Sequence, residues 1–162
     1  MNAKLTYLIP AFFLGVITLA TAAQNSFDKP AFYAAMSMND TTLINERLKA
    51  VDELQNTEKN AYAGALLMKK AGLVKGASNK LNLFKAGRKK LEFAILKNNA
   101  NTEFRFLRLM IQEHAPGALG YKNDLQEDSE FIKKNYKQLP PALQQVISNY
   151  SKTSGILNPA DF

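Results

Sequence analysis

Two arginines three positions apart, Arg105 and Arg108, lie within the stretch Thr102 to His114, with Gln112 one turn further on. At 100° per residue these three side chains share a polar sector of about 60° on a helix otherwise carrying Phe104, Phe106, Leu107, Leu109, Met110 and Ile111. Guanidinium groups beside so much apolar surface need acceptors, because an unpaired charge removed from water costs several kcal/mol. Two arrangements supply them. A ligand carboxylate or phosphate can be gripped bidentately in a groove, or Asp and Glu on a neighbouring helix can fix the register of the fold.

A second feature is the density of lysine between Lys69 and Lys97. Nine cations stand there against Glu92 alone, a net +8, whereas the whole chain carries +7. Within this stretch Lys85, Arg88, Lys89, Lys90 and Lys97 belong to one predicted helix, and its lysines fall away from the apolar side defined by Leu83, Phe84, Leu91 and Ile95. Such a strip gathers anions and speeds their encounter, an effect that fades with salt over a Debye length near 10 Å. An acidic protein surface, a glycan or a lipid headgroup would suit it; so would a bland role as a solvated face that keeps the helix in water. Nucleic acid is not expected, since no aromatic-interleaved basic motif accompanies the lysines.

Other chemistry is scarce. His114 is the only histidine and the chain has no cysteine, which removes disulfides, thiol catalysis and multi-histidine metal sites. His114 adjoins Glu113, yet neighbours on a helix point about 100° apart, so the two make no dyad and a packed or capping histidine is expected. Asp124, Glu127, Asp128 and Glu130 open a helix, where carboxylates favour the positive end of the dipole, without the glycine-containing pattern of a calcium loop. Ser78, Ser129, Ser148 and Ser151 lack a glycine-flanked elbow, and no glycine loop suited to phosphate is present. No catalytic residue, metal or cofactor is therefore assigned. An enzyme whose carboxylates or His114 converge from several helices stays open as an alternative, as does a purely structural envelope protein.

The elements that must position these residues are read as helices. Met1 to Lys4 followed by the apolar run Leu5 to Ala20 has the form of a signal peptide, with cleavage after Ala22 or one residue later. The run is 16 residues, short of the roughly 20 that span a membrane, so export to the periplasm or beyond is expected rather than anchoring. Residues 23–155 are assigned to a single helical domain, and 156–162 to an irregular tail. Asp28-Lys29-Pro30 starts a short helix, and Asn39-Asp40 caps the next through Leu43, Leu48 and Val51. Thr57 to Ala71 carries Ala61, Tyr62, Ala65, Leu66 and Met68 on one stripe. Ser78 is placed as the cap of a long helix to about Asn98, in which Gly87 lets another helix approach closely. Helices over Thr102–His114, Leu125–Tyr136 and from Pro140-Pro141 to Tyr150 complete six or seven in all.

Phe84 to Leu107, with Gly87, Leu91, Ala94 and an Asn-rich turn at 98–101 before a new amphipathic helix, resembles the second helix of a tetratricopeptide repeat passing into the next. Asn99 stands where that family's turn usually has proline, and the 34-residue period is missing, Ala65 and Ala94 being 29 positions apart. The resemblance implies a repeat-like helical array; the periodicity alone implies an all-α antiparallel helix-hairpin bundle. The expected role is binding through the basic helix, with Arg105, Arg108 and Gln112 as a secondary contact.

Overall fold

A computed structural model describes residues 27–54 and 56–162. The signal-peptide assignment over 1–22 lies outside the described residues. The protein is all-α: α1 (Lys29–Ser37), α2 (Thr41–Asp52), α3 (Asn56–Leu73), α4 (Ala77–Lys97), α5 (Thr102–His114), α6 (Leu125–Asn135) and α7 (Pro141–Ser151), with single 3-10 turns at Gly117–Leu119, Tyr136–Gln138 and Pro159–Asp161. No strand occurs among the described residues.

Three helix starts follow from side-chain acceptors. Asp28 accepts from the Ala31 amide and Asp40 from those of Thr42 and Leu43, while Asn101 takes the Phe104 amide at the head of α5. α4 departs from the sequence expectation. It begins one residue before Ser78, with Gly76 at the cap position and a φ of +86° that favours glycine, so Ser78 lies inside the first turn and caps nothing.

One core joins the seven helices. Phe32, Ile44, Leu66, Leu91, Leu107, Ile132 and Ile147, one from each helix in order, are all fully buried. The most extensive contact is between α3 and α4. A Cβ on Gly87 would lie 2.6 Å from the Gly64 carbonyl and 2.7 Å from the Met68 side chain; one on Gly64 would lie 2.7 Å from the Leu91 amide nitrogen. The two backbones therefore touch where neither residue has a side chain. As α3 advances from Gly64 to Met68 its partners retreat from Leu91 to Gly87, which makes the hairpin antiparallel.

α5 runs through the middle, packing on α3, α4 and α6. Glu103 fastens α1 to it, taking the Lys29 ammonium at 2.6 Å and the Tyr33 hydroxyl at 3.0 Å. Glu113 fastens the tail, accepting from the Tyr150 and Ser154 hydroxyls at 2.7 and 2.8 Å and from the Gly155 amide. Beyond 155 the chain forms no α-helix, yet Leu157 is buried and the Phe162 ring lies 4.6 Å from that of Tyr136.

Candidate functional site

The arginine sector of α5 faces α6. Arg108 is 6% exposed and grips Asp128, itself wholly buried, in a two-pronged pair: Nε to Oδ2 at 2.7 Å and Nη2 to Oδ1 at 2.8 Å. Its Nη1 reaches Glu92 of α4 at 3.0 Å and Asp124 at 3.5 Å. Arg105 donates to Asp128 at 2.9 Å and Glu127 at 2.8 Å, and its guanidinium lies 4.4 Å from the Phe131 ring centre. Gln112 donates to Asp124 at 2.9 Å, and Glu92 also accepts from the Tyr121 hydroxyl.

These contacts form one network across α4, α5, α6 and the segment between α5 and α6. Burial works against the Arg108 charge, but Asp128, Glu92 and Asp124 outweigh it and hold the guanidinium charged more firmly than usual. Of the two arrangements open to Arg105, Arg108 and Gln112, the second is present: their acceptors are intramolecular. The carboxylates of Asp124, Glu127 and Asp128 are likewise occupied with α5. Asp124 stands at the cap position of α6, but its side chain makes no capping bond.

The cations of α4 are placed differently. Lys85 and Lys89 are exposed, Lys90 is half-buried, and none makes an ion pair among the described residues. The Arg88 guanidinium carbon lies over the buried Tyr121 ring, 4.7 Å from its centre, and the Lys97 ammonium is 5.5 Å from the Phe93 ring centre. Sequence reasoning passed over two apolar neighbours in this strip: Phe93 is 46% exposed and Leu96 is 78% exposed. With Lys85 and Lys89 they share a sector of about 80° at 100° per residue, opposite the buried face of Phe84, Gly87, Leu91, Ala94 and Ile95. Their signal was available as large apolar residues on the wrong side of the wheel.

His114 is exposed at the end of α5, its Nδ1 3.0 Å from the Met110 carbonyl oxygen. It borders a cleft of about 790 Å³ between the ends of α3, α4 and α5 and the turn at 117–119. The residues lining that cleft include no Asp or Glu, so no carboxylate converges there on His114. No helix among the described residues is long and apolar enough to cross a membrane. No family model, curated protein or solved structure matches the chain.

Proposed function

We propose that the chain is an exported, non-enzymatic helical interaction module that binds an anionic membrane surface through the outer face of α4. Export rests on the pattern at the amino terminus, and the binding role on one observation. Phe93 and Leu96 stand exposed among Lys85, Lys89, Lys90 and Lys97, of which the first three make no ion pair among the described residues. Solvation of the helix by its lysines does not itself require an exposed ring and an exposed leucine beside them. An interfacial helix uses both, with apolar side chains entering the headgroup layer while lysine stems lie along them and ammonium groups meet phosphates.

The test is sedimentation of the purified protein with phosphatidylcholine vesicles containing phosphatidylglycerol. Each surface lysine near anionic lipid contributes about 1 kcal/mol, so Lys85→Gln, Lys89→Gln and Lys90→Gln together should weaken binding on the order of 100-fold. Phe93→Ser with Leu96→Ser should weaken it in the same assay, and salt should elute the wild type. Vesicle binding indifferent to both variants would overturn the reading. Binding to a soluble sulfated polysaccharide or an acidic protein that ignored the Phe93 and Leu96 changes would reassign the face to that partner.

A further inference from the structure

The cleft beside His114 has a wall and rim of opposite character. Its wall is aliphatic, aromatic and thioether, with Met68, Leu81, Phe84, Met110, Ile111 and Leu119 contributed by α3, α4, α5 and the turn at 117–119. Methionine is unbranched and adapts to irregular apolar shapes, and three of them, Met36, Met68 and Met110, line this space. The volume of about 790 Å³ falls within the range of small-molecule sites.

Its polar groups are cationic or neutral. Lys69 and Lys80 both line the cleft and neither has an acidic partner among the described residues. Among the described residues the Lys69 ammonium donates to the Asn39 amide oxygen, 3.1 Å away, and partial burial draws its pKa below the usual lysine value. An ammonium half withdrawn from water, with no carboxylate beside it among the described residues, gains from a nearby anion. An anion would complement these two ammonium groups, and the apolar wall beside them would suit a hydrocarbon body attached to it.

We propose that this cleft binds a single-chain aliphatic carboxylate, its hydrocarbon among Met68, Leu81, Phe84 and Met110 and its carboxylate between Lys69 and Lys80. The site is separate from the outer face of α4, so its occupancy does not require membrane binding.

Calorimetric titration with monomeric dodecanoate, without vesicles, tests it against dodecanol. Dodecanoate should bind once per chain, and dodecanol more weakly. Loss of the charge-assisted contact in Lys69→Met should reduce dodecanoate affinity about tenfold and leave dodecanol unchanged. Gly72 lines the cleft at a point where an added Cβ meets nothing within 4 Å, so Gly72→Leu should fold normally and weaken both ligands. The Lys85, Lys89 and Lys90 glutamine variant should bind dodecanoate like the wild type, which separates this site from the α4 surface. No saturable binding of dodecanoate, or equal binding of acid and alcohol with Lys69→Met silent, would overturn the proposal. So would a dimer, dissociated by Gly72→Leu, in which the cleft refuses dodecanoate, since a second copy would then be its occupant.

Discussion

The guanidinium of Arg108 meets three carboxylates within 3.5 Å, whereas the ammonium groups of Lys85, Lys89 and Lys90 meet none among the described residues. The α5–α6 seam and the outer face of α4 thus use like charges for opposite ends. At the seam every cation has a geometric partner and the side chains are locked. On α4 Lys85 and Lys89 stand exposed, and the apolar residues among the lysines are left partly open to water. Surplus charge, rather than charge itself, marks the surface available to another molecule. The Lys69 ammonium lies between these extremes, partly withdrawn from water and answered among the described residues by the Asn39 amide.

The sharpest way to break the contrast is Arg108→Met, which strands the buried Asp128 with Arg105 as its remaining partner. Removing one member of a buried pair costs about 3–5 kcal/mol, to be read from denaturant unfolding. Arg108→Met combined with Asp128→Leu should recover at least half of that loss, because the wholly buried carboxylate goes with its partner, Arg105 keeps Glu127, and Glu92 and Asp124, which also lose Arg108, are partly open to water. Recovery failing in the double variant would mean that the network does more than satisfy its own members.

Gly87→Ala asks whether the inner side of α4 is as rigid as the outer side is open. The added methyl meets the Gly64 carbonyl and the Met68 backbone nitrogen at under 3 Å. The clash should exceed the helix-propensity gain of about 1 kcal/mol and leave a net loss of about 2 kcal/mol or more. Gly72→Ala, within α3 but with open space around its Cβ, meets no such clash and should stabilise by up to about 1 kcal/mol in the same measurement.

Base offers a milder probe. Burial, with neighbouring Glu103, Glu92 or Glu113, raises the pKa of Tyr33, Tyr62, Tyr121 and Tyr150 above the usual tyrosine value. A raised folded pKa stabilises the fold fully below the unfolded value near 10, and that contribution is lost as pH climbs beyond it. The four phenols should therefore ionise together with loss of helical circular dichroism, not ahead of it. Smallest of all, the separate Lys85→Gln, Lys89→Gln and Lys90→Gln changes should each alter stability by less than about 0.5 kcal/mol. A larger effect would mean that these lysines are engaged within the fold after all.

Much of the architecture was legible because helix periodicity and caps are local. Asp28 and Asp40 cap where their types and positions predict, and Gly87 lies at a close helix approach. Its counterpart Gly64 was missed because α3 is buried on nearly every side around Ala61–Leu66, so no stripe singles it out. A mid-helix glycine is itself a cue to close packing. The α5–α6 seam left a fainter signal: Asp124 and Asp128, four apart, match the spacing of Arg105, Arg108 and Gln112. Pairing them required knowing that the two helices are neighbours. The cleft was beyond sequence reading, being assembled from the ends of several helices and a turn far apart along the chain.

The touching backbones at Gly64 and Gly87 carry a kinetic consequence. They are 23 positions apart and joined through the short turn after Leu73, so closing this hairpin demands little loop entropy, while the other helices need its flank as a wall. We expect the amides flanking this crossing to exchange with deuterium last, their protection tracking global opening, while those at the start of α1 exchange first.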